Sequence, residues 1–373
     1  MSVPAPPGRS PGPLRLVQVG AGGMGQTWLH TIAASPDVTL VGLVDLDLDR
    51  ARAAADACGH PGVPVANSLA DLAADQLEAV VNVTVPAAHR SVNAAALSRG
   101  LPVLCEKPLS SSVAECLLTV AAAELSGQLL MVSQSRRYWR SLDALRGQLS
   151  ALGRIGSLSC EFFRAPRFGG FRDRMDYPLL VDMAIHQFDL ARLLLGADPV
   201  SVYCESYNPP WSWLRGDAAA AATFAFPDGA RFTFDGSWVA PGQETSWNGR
   251  WRVTAEHGSA VWDGDAAPEA VAAGEPLPSP LGDRPEETAG SLAEFVAAVR
   301  GGPVPDTEVH RNVVSVAMVE AAIASAEAGR PVLLADVLES AYAVALRTVE
   351  NAAVADVLRS WTSVTAAVAA GPR

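Results

Sequence analysis

The 373-residue sequence carries 28 cationic side chains, and 27 of them are arginine. The one lysine, Lys107, sits in Glu106-Lys107-Pro108, directly after the apolar run Val103-Leu104-Cys105. Arginine keeps its proton in proteins, whereas lysine can shift its pKa and exchange one, so Lys107 is the cation suited to proton chemistry. A second candidate lies downstream. Asp182 and His186 are four residues apart in a segment of helical periodicity between Pro178 and Gly196, which predicts that they share one helical face. A carboxylate one turn from an imidazole orients the ring and stabilises its protonated form, as an acid–base pair requires. Asp189 and Arg192 fall on a separate face and read as a structural pair. An isolated Asp–His pair on a helix is more often structural than catalytic, so the surroundings of these residues must decide.

A third constellation gives that context. The strand-like run Leu14–Val19 leads into Gly20-Ala21-Gly22-Gly23-Met24-Gly25, followed by a helical stretch from Gln26 to Ala34. G-x-G-x-x-G between a strand and a helix is the dinucleotide fingerprint: Gly20 permits the turn, Gly22 lets backbone approach a pyrophosphate, and Gly25 lets helix and strand pack closely. The helix N-terminus offers free N–H groups to the phosphates, and Gly23 and Met24 in the loop before it are expected cofactor contacts. A second strand, Val38 to Val44, ends at Asp45, 20 residues past Gly25. An acid there hydrogen-bonds the ribose hydroxyls of NAD and repels the 2′-phosphate of NADP, so NAD is the expected cofactor. Arg50 and Arg52 lie too far along the chain for the usual phosphate clamp.

These residues require a scaffold, and the next segments describe it. Strands at Ala79–Val83, Pro102–Cys105 and Leu129–Ser133 alternate with helices at about Ala88–Arg99 and Ser112–Ser126, which predicts a parallel sheet covered on both faces. Ligands of such sheets bind beyond the C-terminal strand ends, where Gly20, Asp45, Thr84 and Lys107 all fall. Gln134, Arg136 and Arg137 follow the last of these strands and belong near the same crevice. Further on, strands are expected at Val200–Ser206, Ala218–Phe226, Ala230–Val239, Arg250–Ala255 and Ala260–Trp262, with a turn at Pro227-Asp228-Gly229. Trp211, Trp213, Trp238, Trp247, Trp251 and Trp262 accompany this second sheet as packing residues or sugar-stacking platforms. The segment Pro166–Tyr177 carries Arg167, Arg172 and Arg174 and reads either as a substrate contact or as a solvated loop. Residues 264–288 read as a long mobile loop; helices follow at about 289–300 and 311–328, and an Ala/Val-rich helical stretch begins at 336.

Composition narrows the function classes. A net charge of −12 argues against a nucleic-acid partner, whose phosphates need clustered Lys and Arg. No apolar run approaches a membrane span. The five cysteines, Cys58, Cys105, Cys116, Cys160 and Cys204, are widely spaced with no C-x-x-C pair, so neither a metal site nor a disulfide framework is suggested and a cytoplasmic setting is expected. The expected layout is a disordered leader over 1–13, a Rossmann domain over 14–134, an α/β substrate domain over 135–335 and C-terminal helices over 336–373.

GAGGMG near the start, EKP in the middle and D-x-x-x-H later, in this order, resemble the glucose–fructose oxidoreductase / inositol dehydrogenase / MocA family, over roughly residues 14–335. The pattern around Pro86 and His89, the run Leu101–Pro108, and the stretch from Gly236-Ser237-Trp238 through Trp251 to Trp262-Asp263-Gly264 are also similar to family sequences. The resemblance implies a Rossmann domain followed by an α/β domain with a large, open, mostly antiparallel sheet, suited to pairing as a homodimer or homotetramer. It implies an NAD(P)-dependent dehydrogenase acting on a CH–OH group of a sugar, inositol or related polyol. Lys107, Asp182 and His186 match the family's catalytic positions. Thr84, Pro86, His89 and Glu106 join the glycine loop and Asp45 as cofactor contacts, and Gln134 and Arg137 join the catalytic trio around substrate. Pro108 matches a proline often preceded by a cis bond. Pro178-Leu179-Leu180-Val181 departs from the glycine-rich stretch that many members have before the catalytic Asp, which bears on substrate placement. The same features would serve an NAD-retaining, redox-assisted glycoside hydrolase or lyase, or a non-catalytic dinucleotide-binding regulator.

Overall fold

A computed structural model describes residues 12–73, 76–170 and 172–371. Most of the leader expected over 1–13 lies outside the described residues. Strand β1 (Leu14–Val19) is buried at five of its six positions, as befits the middle of a sheet covered on both sides. The chain then alternates through α1 (Gly23–Ala34), β2 (Val38–Val44), α2 (Leu48–Ala57), β3 (Val65–Ala66), β4 (Ala79–Asn82), α3 (Pro86–Leu97), β5 (Val103–Glu106), α4 (Val113–Ser126) and β6 (Leu130–Ser133). These strands form one parallel sheet in the order β3-β2-β1-β4-β5-β6. The order reverses at β1 and β4, which opens a crevice at their C-terminal ends. The exposed side of β6 is closed by a later segment: the Val132 amide donates to Thr307 O at 2.9 Å, and Met131 bridges to Glu308. Such cover removes an unpaired edge.

Next come α5 (Arg140–Leu152), β7 (Ile155–Phe163), and a π-helical turn over Leu179–Ala184 that runs into α6 (Ile185–Leu195). Seven strands follow: β8 (Ser201–Tyr207), β9 (Ala219–Ala225), β10 (Arg231–Ser237), β11 (Arg250–Ala255), β12 (Gly258–Trp262), β13 (Glu269–Ala272) and β14 (Glu275–Pro276). The chain ends with α7 (Glu287–Val299), α8 (Val309–Ala328), β15 (Val332–Leu333), α9 (Leu334–Thr348), α10 (Ala352–Ser360) and α11 (Val364–Ala370). The second sheet has nine strands in the order β14-β13-β12-β11-β7-β10-β9-β8-β15, antiparallel throughout except for the parallel pair β7–β10. Its inner face carries Phe162, Phe224, Phe232, Phe234, Trp251 and Trp262, all buried. Helix α6 packs on this face through Phe188, whose ring meets Phe224 at 4.7 Å and Phe234 at 5.4 Å, both edge-on. Edge-to-face pairs add a geometric preference to simple burial, so they fix the rotation of α6 about its axis.

The chain divides into two compact units that are discontinuous in sequence. One comprises the residues up to Ser135 with Pro285–Val313 and the stretch from Glu339; the other comprises Arg136–Arg284 and Val314–Leu338. The contiguous blocks expected over 135–335 and 336–373 differ from this division, because the segments at 285–313 and from 339 return to the first unit. Two further expectations change. Residues 264–288 are not a structureless loop, since β13 and β14 form a hairpin within them. Strand β7, which the sequence reading does not anticipate, lies at the centre of the second sheet.

Candidate active site

In the first unit the glycine loop is shaped by contacts that exclude a side chain. Gly20 has φ +105, and a Cβ there would stand 2.5 Å from Val83 O. A Cβ at Gly25 would stand 2.5 Å from Gly20 O. Gly22 differs: it has φ −71, and a Cβ would meet no protein atom within 4 Å. Protein packing therefore explains glycine at 20 and 25 but not at 22, where the backbone stays open. Helix α1 starts at Gly23 with no side-chain cap and no acid in its first turn, which leaves its positive end available to phosphate. Gln18, fully buried in β1, braces the loop: its Nε2 donates to Gly20 O at 2.8 Å and Gly25 O at 2.9 Å. The sequence reading passes over Gln18, although a polar residue in the middle of a buried strand is a signal that its amide has a task.

Asp45 stands at the end of β2 with its carboxylate gripped by three donors. The Ala21 amide donates to Oδ2 at 2.7 Å; the Asp47 amide, at 2.9 Å, and Arg50 Nη2 both donate to Oδ1. Burial alone would raise the Asp45 carboxyl; these hydrogen bonds and the Arg50 charge outweigh it and hold the group below its ordinary value. Although Arg50 lies beyond the position of the usual phosphate clamp, the first turn of α2 brings it back onto Asp45.

Beyond β4, Thr84 Oγ1 donates to Asn82 Oδ1 at 2.7 Å, and Asn82 Nδ2 donates to Asn93 Oδ1 at 2.8 Å. Pro86 opens α3 at a position where a missing N–H costs nothing. His89 is fully buried, with Nδ1 2.7 Å from Pro108 O and Nε2 3.0 Å from Thr84 O. Burial holds this ring below its ordinary pKa against the pull of both carbonyls. His89 therefore ties the β4 end to the Lys107–Pro108 turn. Glu106 is likewise a brace: Oε1 accepts from Trp28 Nε1 at 2.8 Å and Oε2 from the Lys107 amide at 3.0 Å. Burial pushes its carboxyl up, opposed by Trp28 and Lys107. The Lys107–Pro108 bond is cis. Across residues 101–110 every side chain is buried except Lys107. Gln134 is also buried, and neither atom of its amide has a hydrogen-bond partner among the described residues. Met24, expected at the cofactor, is exposed after β1, and two apolar side chains that the sequence reading does not single out, Leu46 and Val85, are exposed after β2 and β4.

In the second unit Asp182 falls in the π-helical turn and His186 in the first turn of α6. The assumption of uninterrupted α-helix over this segment is corrected; π-turns are uncommon and recur at functional sites. Asp182 Oδ2 accepts from Arg172 Nε at 2.6 Å, so the loop before the helix supplies its cation. His186 is buried, one turn from Phe188 and Asp189. Asp189 is held by Arg137 through a two-pronged pair, Nε–Oδ2 2.6 Å and Nη2–Oδ1 2.8 Å, and by Ser315 Oγ at 2.7 Å. Burial would raise the Asp189 carboxyl, but Arg137, Arg192 and Ser315 together hold it low. Asp189 is structural as expected, with Arg137 as its chief partner. Arg137, expected at substrate, thus spends two of its donors on setting α6. Among the tryptophans, Trp238, Trp251 and Trp262 are buried packing residues, whereas Arg164 lies over the Trp247 ring at 4.2 Å and Arg167 over Trp213 at 3.9 Å. Among the described residues no group of three or more His, Cys, Asp or Glu could hold a metal, and no helix is long and apolar enough to cross a membrane.

Residues 14–134 match the family model described as an oxidoreductase family with an NAD-binding Rossmann fold, and residues 148–261 match that of the GFO/IDH/MocA C-terminal domain. The chain belongs to the GFO/IDH/MocA oxidoreductase family. Within it, the chain is 26% identical over 348 residues to D-apiose dehydrogenase of Paraburkholderia graminis, covering 87% of this chain and 91% of that one. It is 35% identical over 196 residues to inositol 2-dehydrogenase 4 of Saccharopolyspora erythraea, covering 51% of this chain and 56% of that one. An oxidoreductase from Agrobacterium radiobacter, solved with NAD+, L-tartaric acid and magnesium, shares the fold at TM-score 0.78 and 21% identity, over 87% of this chain and 99% of that one. The fold is the Rossmann sheet plus the large, mostly antiparallel second sheet expected from the sequence, and NAD is the cofactor of the GFO/IDH/MocA Rossmann fold.

Proposed function

We propose that this chain is an NAD-dependent dehydrogenase that oxidises a secondary alcohol of a sugar, inositol or related polyol. What carries the reading is the placement of Lys107, the one side chain in residues 101–110 that escapes burial, at the C-terminal edge of the sheet that bears the glycine loop. Relatives named for inositol and D-apiose support the substrate class.

The residues present fit NAD. The open backbone at Gly22 and Gly23 and the uncapped start of α1 would take the pyrophosphate, and Asp45 the adenosine ribose. Once bound, NAD supplies the hydride acceptor. The chain supplies proton handling: His186 takes the hydroxyl proton, with Asp182 favouring the imidazolium, and the Lys107 ammonium hydrogen-bonds the alcohol oxygen and stabilises its developing negative charge. Arg172 on Asp182 orients that carboxylate. The open face of the second sheet, with Tyr203, Thr223, Thr233 and Arg252 exposed in one row, is the surface by which two copies would pair.

The test is a nicotinamide-absorbance screen of inositols, aldoses and pentoses with NAD+. Accumulating NADH supports a dehydrogenase, whereas turnover without net NADH would point to a cofactor-retaining hydrolase or lyase. Lys107→Met and His186→Asn should each lower kcat by about 10²–10⁴-fold while NAD+ binding persists. Near wild-type kcat in Lys107→Met would sink the assignment.

A further inference from the structure

The segment that carries Arg172, the cation on Asp182, is not anchored by burial: Arg172–Arg174 is a single 3₁₀ turn with no buried side chain. A second loop, residues 208–217 between β8 and β9, is fastened to it. The Arg215 amide donates to Asp173 O at 3.0 Å and the Asp217 amide to Asp176 O at 2.8 Å. An Arg215–Asp176 ion pair joins the same two segments. Between the two amides stands Gly216, pressed backbone to backbone on its neighbour: a Cβ there would overlap Asp176 O, Asp176 C and Met175 O. Only glycine lets the two chains approach this closely. Loop 208–217 is itself well founded. Trp213 and Leu214 pack with Ala218 and Val239. Trp211 Nε1 donates to Val239 O at 2.8 Å, and Asn208 Nδ2 to Leu214 O at 3.0 Å. Position thus passes from the start of β9 and the end of β10, through this loop, to Arg172 and so to Asp182.

We propose that Gly216 is a positioning residue for the proton transfer: it lets loop 208–217 clamp the backbone of residues 173–176, and the clamp holds Arg172 on Asp182. The Arg172–Asp182 contact is short and charge-assisted, at 2.6 Å, so its strength depends steeply on where the guanidinium stands. Parting the two backbones enough to admit a methyl group moves the Arg172 segment by about 1 Å, and a displacement of that size costs about 10²-fold in rate at a reacting centre. The exposed Arg215–Asp176 pair adds little to the clamp. The two backbone hydrogen bonds and the close approach at Gly216 carry it.

This role rests on Asp182 serving the proposed dehydrogenase reaction, and the test keeps the two apart. The full chain is compared with Gly216→Ala, Arg172→Met, their double variant, and Arg215→Met alone and with Arg172→Met. Peptide hydrogen exchange, thermal melts, calorimetric NAD+ affinity and kinetics on the inositols, aldoses and pentoses screened above are measured for each. Gly216→Ala should speed exchange at residues 172–177 and leave the rest of the chain unchanged. It should lower kcat by about 10–100-fold, with KM and NAD+ affinity within about threefold of wild type. In the Arg172→Met background the same change should lower kcat by under about threefold, because the pair it serves is already gone, while the two Tm losses add. A purely structural role makes both quantities additive. Arg215→Met removes only an exposed ion pair and keeps the test open if Gly216→Ala does not fold. Its kcat should fall about twofold to fivefold, and no further on top of Arg172→Met. Losses in kcat that multiply in the double variants, or exchange at 172–177 that stays at the wild-type rate, overturn the proposal. An active Gly216→Ala that matches the wild type refutes the role and leaves the dehydrogenase reading standing. A wild type that binds NAD+ but oxidises none of the alcohols refutes that reading and the role of Gly216 with it.

Discussion

Gly20 and Gly22, two residues apart in the same loop, should respond to alanine in opposite ways. At Gly20 the new Cβ would stand 2.5 Å from Val83 O and 2.7 Å from Val83 C, and the backbone has φ +105. The left-handed conformation costs an L-residue about 1–2 kcal/mol. Forcing the β1 and β4 ends apart adds about 1–3 kcal/mol, the usual penalty of overpacking. A loss of roughly 2–5 kcal/mol lowers Tm by about 5–15 °C in a domain of this size. At Gly22 the Cβ meets nothing within 4 Å and φ is −71, which alanine adopts freely. Alanine is a poorer N-cap than glycine by under about 1 kcal/mol, and it regains about 0.4–1 kcal/mol by restricting the unfolded chain. Tm of Gly22→Ala should thus stay within roughly 2 °C of wild type. Its defect should appear with ligand. NAD+ at a hundred times its Kd stabilises the wild type by about 2.7 kcal/mol, and Gly22→Ala should lose most of that gain because the methyl group stands where the pyrophosphate approaches. Melts with and without NAD+, together with calorimetric Kd values, read both effects. The reasoning fails if Gly22→Ala melts as early as Gly20→Ala, or if it binds NAD+ like the wild type.

Three further outcomes follow from buried polar groups. Asp189→Asn leaves the Arg137 guanidinium in a buried site without its charge partner and should cost about 3–5 kcal/mol in a denaturant melt; a cost under about 1 kcal/mol would show that the pair does not hold α6. His310 is buried between Glu308 Oε1, 2.8 Å from Nδ1, and Glu124 Oε1, 3.0 Å from Nε2. Burial would lower its pKa, but the two glutamates outweigh it and raise it. This contribution is complete below the unfolded value of about 6.5 and is lost as pH rises through the higher folded value. The Tm gap between wild type and His310→Gln should therefore be widest near pH 6 and shrink toward pH 9; a gap that grows with pH contradicts it. Trp28→Phe removes the donor on Glu106 Oε1 and should cost about 1–3 kcal/mol. Because burial already pushes the Glu106 carboxyl up, that loss should be larger at pH 8 than at pH 5, where protonation relieves the unpaired oxygen.

The local signals that could be read were those with a fixed period or a fixed turn. β1, the glycine loop and β2 stand where the alternation of apolar runs and glycines puts them, because a buried parallel strand must be apolar at nearly every position. The β13–β14 hairpin was hidden for a specific reason. Its turn residues are Ala273, with φ 50, and Gly274, with φ 89. A hairpin turn with both central residues at positive φ normally advertises itself with Asn-Gly or Asp-Gly, and alanine gives no such sign. Strand β7 escaped because its inner face consists only of Leu158, Cys160 and Phe162, and Gly156, in line with them, adds no apolar signal. The Arg137–Asp189 pair joins residues 52 apart, and no local pattern could report it.

The candidate site was legible as a set of residues and not as a set of tasks. Glu106, Lys107 and Pro108 are adjacent in sequence, but only the structure separates them. Both Glu106 oxygens are taken by Trp28 Nε1 and the Lys107 amide, and Pro108 O is taken by His89. Each of these contacts immobilises the backbone on one side of Lys107 and buries the group that makes it. The cost of burying Glu106 and His89, visible as the upward and downward displacement of their pKa values, is a cost of holding one lysine in place. A chain that needed only a positive charge at the end of β5 could use one of its arginines on a freer loop. Two buried titratable braces beside the chain's single lysine make sense if the position and the proton of that amine both matter.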